Sequence, residues 1–573
     1  MAQRKKLNIG CSDFKDIIEN NNYFIDKSLF IEEIINSEKA VVLLPRPRRF
    51  GKTLNLSMLK YYFDIRQPEN EKLFEQLNIW QTKKEIKEHR GKYPVVYLTF
   101  KDCKANDWET TYELICIEIK KLYLTHDYLL DGKQIRKSEK DDFEKIISKK
   151  ASVAEFSASL KNLIELLHTY HNHKVVVLVD EYDTPIQAGY KDFYEKVISF
   201  MRNLLSGALK DNSNIYKGVI TGILRVSKES IFTGLNNLSV YSIVDSRFSD
   251  KFGFTEAETK QIIQDFGIMS NYEQIKKWYD GYKIGDTTDI YNPWSILNYV
   301  SDFSNGFKPF WANTSSNELI KERLQERDAD YTREQLLKLI NNETVEKTID
   351  ENFVFPDLDT DKELLWTLLA FSGYLTIENK IDYQTYSLKI PNYEIKLIFK
   401  NIIIKWLSVD IKIRKTLLEE TTNFLIKNEI GKFEKGFKQI IGDTFSYFDI
   451  HGEPEKVYQS YVLGLLAIIG DDYIIKSNRE SGDGRYDIML IPHDKTKYGI
   501  VIEIKQIHKI DNEKEEDKNN RINTKIIEAA NQIENNKYYK ELIDNKIERI
   551  IKLPIVFVGK EPYILIINHK SAK

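Results

Sequence analysis

The chain has 573 residues, a length that points to about three or four domains. Hydrophobic residues make up 42% and charged residues 30%, a balance that supports packed cores and excludes a disordered or fibrous chain. The net charge of −3 excludes a global pull onto nucleic acid, no apolar run approaches the ~20 residues that cross a bilayer, and the three cysteines, Cys11, Cys103 and Cys116, have neither metal-ligand spacing nor a disulfide pattern, so a reducing, cytoplasmic setting without membrane contact is expected.

Residues 1–7 are basic but lack an apolar stretch, and no signal peptide is expected. Residues 41–44 read as a short buried strand. They run into a basic loop ending in Gly51-Lys52-Thr53, and a helix-compatible stretch, 54–62, follows at once. This layout suits a phosphate. Backbone N–H groups at a helix N-terminus point at the anion, Lys52 supplies a mobile positive charge, and the Thr53 hydroxyl can hold Mg²⁺. Arg46 stands where the first glycine of such a loop is usual, and Pro47 removes one backbone donor. The alternative is a basic surface turn.

Further strands are expected at 95–100, 175–179, 218–224 and 240–244, with helices between them at 111–124, 157–168 and 193–209. The alternation implies a parallel sheet in three layers. The β-branched run 175–179 predicts a strand buried on both faces and opens into Asp180-Glu181-Tyr182-Asp183. Carboxylates at such a strand end fall where ligands bind in open α/β sheets. Asp180 would hold Mg²⁺, directly or through water, and Glu181 would orient or deprotonate the attacking water. Together with the loop, this points to ATP. Thr221 and Arg225 follow at the next strand, where they either sense the γ-phosphate or serve as a structural threonine and a surface arginine. The aromatic segments Trp278-Tyr279-Asp280-Gly281-Tyr282 and Tyr291-Asn292-Pro293-Trp294 read as core filling or as a lid over the nucleotide.

From about residue 318 the pattern is mainly helical and highly charged. A helix at 364–371 ending near Gly373, then strand-like runs at 374–378 and 385–390, reads as a winged-helix-like unit, although no Lys/Arg cluster marks a recognition helix. Near the C-terminus a helix is expected at 455–469. A glycine turn follows, then a strand opened by Asp487, a second turn, and the strand 498–505. Glu503 and Lys505 share one face of that strand while Ile502 and Ile504 share the other. If the Asp487 strand lies alongside, Asp487, Glu503 and Lys505 converge. Two carboxylates would then hold Mg²⁺, and the lysine would position water for phosphodiester hydrolysis. The alternative is an amphipathic strand with a Glu–Lys pair on its wet face. Residues 511–520 read as a solvated charge run.

The stretches 46–59, 179–183, 231–237 and 291–295 give the first half, about residues 7–315, a resemblance to the predicted AAA-ATPase-like family. There the Arg-Pro-Arg-Arg-Phe-Gly-Lys loop is the usual form. Residues from about 445 to 573 are similar to the PD-(D/E)XK nuclease superfamily. The resemblance implies an AAA/STAND-like P-loop NTPase at 1–315, a helical and winged-helix-like region at 316–444, and an α/β nuclease-like domain at 445–573. It also implies ATP contacts from Arg46, Arg49, Gly51, Lys52, Thr53, Asp180, Thr221 and Arg225. The nuclease set would be Asp487, Glu503 and Lys505, with Glu455 as a further acid and Gln532 and Tyr538 in support. After Tyr458 the chain carries Gln459-Ser460 where His-Gly is usual, so no histidine role is expected there. The reading is an ATPase with an appended Mg²⁺-dependent nuclease-like domain acting on nucleic acid, DNA before RNA, with a homo-oligomer left open. Two rivals stand beside it. One is a nucleotide-dependent switch or scaffold whose C-terminal domain only binds; the other is an ATPase motor acting on protein.

Overall fold

The computed structural model describes residues 5–225, 231–232, 236–311, 330–352, 354–405, 415–445, 462–463, 465–466, 469, 472–481, 484–510, 512–559 and 561–565. The chain divides into two compact units. One takes Met1–Thr314 and Glu346–Glu394, the other Ser315–Val345 and Ile395–Lys573. The middle region expected at 316–444 is therefore shared between them.

The first unit is built on a parallel sheet of β1 (Val41–Pro45), β2 (Val95–Thr99), β3 (Val175–Asp180), β4 (Ile215–Gly222) and β5 (Leu238–Val240), in the order β2-β3-β4-β1-β5. Every residue of β1 and β3 is buried, as a strand covered on both faces requires. Val42, Leu44, Val176, Leu178 and Val219 face the helix Lys52–Phe63, meeting its Leu56, Leu59 and Phe63. The helices Trp108–Leu124, Val153–His171 and Tyr194–Leu209 pack on one another, and the first two reach β2 and β3. The helix Val153–His171 begins before its apolar periodicity because Ser152 and Glu155 form a capping box. The fifth strand lies earlier than expected. Beyond Val240 the Asp245 carboxylate accepts the N–H of Ser242 at 2.7 Å, and the chain turns.

Beyond the sheet come the helices Glu256–Asp265, Tyr272–Tyr279 and Pro293–Ser301 with the hairpin β6 (Tyr282–Ile284) and β7 (Thr287–Ile290). Tyr279, Tyr291 and Tyr299 fill a core with Ile262, Ile263 and Ile296. The winged-helix-like expectation meets a helix, Leu364–Ser372, ended by Gly373. Three strands accompany it, β8 (Val345–Thr348), β9 (Thr376–Lys380) and β10 (Thr385–Lys389), in the order β8-β10-β9. Leu364 to Phe371 are all buried, so this helix has no face left to read a groove.

The second unit carries a mixed sheet of β11 (Tyr473–Ser481), β12 (Gly484–Pro492), β13 (Gly499–Ile507), β14 (Ile550–Val558) and β15 (Glu561–Ile564), in sequence order. Only β13 and β14 pair in parallel, and the connection between them contains the helix Glu515–Asn535. The charge run expected at 511–520 supplies the acidic first turn of that helix, Glu515, Glu516 and Asp517, where carboxylates suit the dipole. Asp487 lies inside β12 rather than at its opening. Glu455, Tyr458, Gln459 and Ser460, most of the expected 455–469 helix, and residues 233–235 of the 231–237 motif fall outside the described residues.

Candidate functional site

β1 ends at Pro45, and the chain passes through residues 46–51 into the helix Lys52–Phe63. Gly51, the residue before that helix, has φ 85°, and nothing lies within 4 Å of where its Cβ would be. Glycine is needed there for its left-handed backbone, not for space. The Lys52 ammonium rests on the loop's own carbonyls, 3.0 Å from Arg46 O and 2.9 Å from Pro47 O. Burial pulls its pKa down, and the carboxylates of Glu181, Asp180 and Asp183 pull it back up.

Arg46, expected among the nucleotide contacts, turns beneath the loop. It is fully buried and donates to the carbonyls of Pro45 at 2.8 Å, Tyr241 at 2.7 Å and Phe248 at 3.3 Å, with its guanidinium over the Phe252 ring. Burial lowers its pKa to about 10, so it stays charged at neutral pH. It braces the loop against the segment after β5. A sequence shows the charge of such a residue but not its direction.

Asp180 lies at the end of β3, fully buried, and bridges two hydroxyls. Thr53 Oγ1 donates to Oδ2 and Thr221 Oγ1 to Oδ1, both at 2.7 Å. Strand order explains the meeting: β4 lies between β1 and β3, so Thr221 reaches Asp180 from one side and the loop's threonine reaches it from the helix start. Burial raises the Asp180 pKa, while the two hydroxyls and Lys52 oppose the rise. Glu181 is half-buried with φ 51°, an uncommon conformation for a residue with a side chain, and accepts the Thr184 hydroxyl at 3.3 Å. Asp183 is structural. Its Oδ2 accepts the N–H groups of Ile223 at 2.9 Å and Leu224 at 3.1 Å. Gly222 permits that approach, since a Cβ there would stand 2.7 Å from Asp183 Oδ1. Arg225 is half-buried, and its charge acts on Glu351; among the described residues it has no hydrogen bond to Asp180 or Thr221.

A clamp from later in the chain holds the outer side of the loop. The Arg48 carbonyl accepts from Asn292 Nδ2 and Trp311 Nε1, each at 3.4 Å, and a Cβ on Gly373 would stand 2.9 Å from Pro47 Cβ. Arg49 is exposed and lies over the Trp294 ring, 4.2 Å from its centroid. Behind them Glu394, 1% exposed, accepts the Trp311 N–H and the Ser295 hydroxyl, both at 2.7 Å. Sequence reasoning singled out Tyr291-Asn292-Pro293-Trp294 without a role for Asn292, and it missed Trp311 and Glu394. A lone tryptophan and a lone glutamate carry no signal until the fold sets them against the loop.

In the second unit β12 and β13 run antiparallel, with Ile488 opposite Ile502, which sets Asp487 beside Glu503 one step further on. Asp487 Oδ2 accepts the Ile504 N–H at 2.7 Å, and Lys505 Nζ meets Glu503 Oε1 at 2.7 Å. Glu503 is 2% exposed and the Lys505 side chain 18%, so the pair is sheltered but open at the lysine. By strand alternation Glu503 and Lys505 share their face of β13 with Val501, which with Met489 packs on Ile533 and Tyr538. Tyr538 OH accepts from Gln532 Nε2 and Asn536 Nδ2 at 3.0 Å each, and its ring meets that of Tyr486, the neighbour of Asp487. The donor set, two hard carboxylates from neighbouring strands with a lysine beside them, suits Mg²⁺. Among the described residues no group of three or more His, Cys, Asp or Glu is placed to hold a metal.

Residues 8–232 match the family of the predicted AAA-ATPases. Residues 453–565 match the PD-(D/E)XK nuclease superfamily. An uncharacterized protein from the vnfD 5′ region of Azotobacter chroococcum is 28% identical over 403 residues, covering 69% of each chain. A Walker-type ATPase of Pyrococcus abyssi has a TM-score of 0.34 at 12% identity, over 70% of this chain and 99% of its own. The AAA-ATPase match contains Lys52, Thr53, Asp180, Glu181 and Thr221. Asn292, Trp294, Trp311 and Glu394 lie beyond its end. The nuclease-superfamily match contains Asp487, Glu503, Lys505, Gln532 and Tyr538. All three cysteines are free thiols, and no described helix is long and apolar enough to cross a membrane.

Proposed function

We propose that the first unit binds and hydrolyses ATP and that the second cleaves nucleic acid, DNA foremost, with Mg²⁺. The observation that best supports the first half is the Asp180 carboxylate shared by Thr53 and Thr221. It joins the ends of β3 and β4 to the start of the helix Lys52–Phe63, where ligands of open α/β sheets bind. In this reading the N–H groups opening the helix Lys52–Phe63 take the phosphates, and Lys52 exchanges the Arg46 and Pro47 carbonyls for β- and γ-phosphate oxygens. Thr53 and Asp180 would hold Mg²⁺, Thr221 would contact the γ-phosphate, and Glu181 would accept the proton of the attacking water.

For the second unit, the support is the register that sets Asp487 beside Glu503 with Lys505 on the same face. Asp487 and Glu503 would hold the ion. Lys505 orients the attacking water and offsets charge on the phosphate, while Glu503 fixes its ammonium. At both sites a bound Mg²⁺ would supply Lewis-acid polarisation and charge neutralisation at phosphoryl oxygens.

Purified full-length protein incubated with plasmid, single-stranded DNA and RNA, with and without Mg²⁺, Mn²⁺ and ATP, tests this. Metal-dependent cleavage is expected, lost in Asp487→Ala and in Lys505→Ala while ATP hydrolysis persists in both. Substrates left intact under every condition, or cleavage that survives Asp487→Ala, overturn the nuclease reading. Retention of DNA that falls steeply with salt, without cleavage, would mark a binding module instead.

A further inference from the structure

Arg49 differs from the other basic residues of its loop. Arg46 is buried on carbonyls and Arg48 donates to Gln187 Oε1 at 3.3 Å, whereas Arg49 is exposed and, among the described residues, has no ion pair. Its backbone is left-handed, φ 65°, a conformation unfavourable for a residue with a Cβ. That turn brings its guanidinium carbon to 4.2 Å from the Trp294 ring centroid, well inside the ~6 Å limit of a cation–π contact. Trp294 is itself fixed. Its indole N–H donates to Phe310 O at 3.3 Å, and its backbone N–H donates to Asn292 Oδ1 at 2.9 Å. Asn292 in turn donates to Arg48 O, so loop and ring are tied into one piece.

A strained, immobilised arginine with one side on an indole and the other in solvent, three residues before the helix that would carry the phosphates, is a flat cationic surface. Nucleobases stack on guanidinium planes, especially planes already ordered on an aromatic ring. We propose that Arg49, backed by Trp294, is the stacking platform for the purine base of the bound nucleotide. The inference rests on the nucleotide-site reading above and adds where the base lies and what holds it. Stacking uses the π-face of a base and not its hydrogen-bonding edge, so ATP and GTP bind alike and pyrimidine nucleotides bind more weakly.

Calorimetric titration of the full-length protein with ATP and with inorganic tripolyphosphate, a ligand without a base, separates the possibilities. Arg49→Ala, Arg49→Lys and Trp294→Ala should each weaken ATP by roughly tenfold and leave tripolyphosphate within about twofold. The lysine variant keeps the charge and loses the plane, so its failure to rescue ATP binding marks stacking rather than charge. Equal weakening of both ligands, or ATP affinity unchanged in the Arg49 variants, overturns the platform. Should Trp294→Ala not fold, the two variants of the exposed Arg49 carry the test alone. Wild-type protein that binds tripolyphosphate as tightly as ATP sinks the platform and spares the phosphate site. Wild-type protein that binds neither sinks the nucleotide reading itself.

Discussion

Asp180, Glu181 and Asp183 are three carboxylates within four residues, and their surroundings divide their roles. Asp180 faces two hydroxyls from separate elements, Asp183 spends Oδ2 on two backbone N–H groups, and Glu181 remains at the rim, half-buried. Substitutions should separate them. Glu181→Gln keeps size and hydrogen bonding and removes the proton acceptor, so steady-state ATP turnover should fall on the order of one hundredfold with nucleotide affinity retained. Asp183→Ala should instead lower stability by about 1–3 kcal/mol, because two buried N–H groups lose their acceptor. Turnover assays and thermal melts of both variants check this, and unchanged turnover in Glu181→Gln would move the base elsewhere. At this scale the sequence shows which residue types are present but not where they point. Arg46, implied among the ATP contacts, turns beneath the loop as a brace, and Asp183 holds the backbone after β4.

Elements positioned by residues far away in sequence form the next level. The loop at 46–51 is held by Asn292 and Trp311, and these are held by Glu394, more than three hundred residues from the loop. Burial pushes the Glu394 carboxyl up from 4.5 to about 7, against the pull of the Trp311 and Phe310 N–H groups and the Ser295 hydroxyl. The folded protein therefore binds the proton more tightly than the unfolded chain. Between pH 4.5 and about 7 the Glu394 contribution to stability falls as pH rises, and above about 7 it is flat. Glu394→Gln should remove that slope, so the variant gains on the wild type with rising pH, by an amount on the order of 3 kcal/mol at most. Asp280, also raised to about 7 by burial, keeps its own slope in both proteins, and the difference between their pH–melting curves isolates Glu394. Parallel curves would contradict the assignment. The strands β1 to β4 and β13 were legible, because apolar β-branched runs and the period of two are local properties. The clamp was not, because it is a contact between segments that share no pattern.

At the scale of the whole chain, the division into two compact units predicts two melting transitions. ATP at about a hundredfold its Kd should stabilise the first unit by about 2.7 kcal/mol and leave the second where it is. Lys52→Ala should abolish that shift without moving the second transition. Differential scanning calorimetry reads both effects, and an equal shift in Lys52→Ala would detach ATP from the phosphate loop. By itself the sequence determined which candidate residues stand in order along the chain, Gly51-Lys52-Thr53 with Asp180-Glu181, then Asp487 with Glu503 and Lys505. It did so because the proposed chemistry needs particular residue types at the ends of particular strands, and strand ends announce themselves in local patterning. Only the tertiary structure decided that β4 lies between β1 and β3, so that Thr221 and Thr53 share one carboxylate, and that the register of β12 on β13 sets Asp487 beside Glu503. It likewise decided that residues 346–394 pack with the first unit and bring Glu394 behind the loop. Strand order, register and long-range packing are set by the burial of whole faces against one another, and no single stretch of sequence contains that balance.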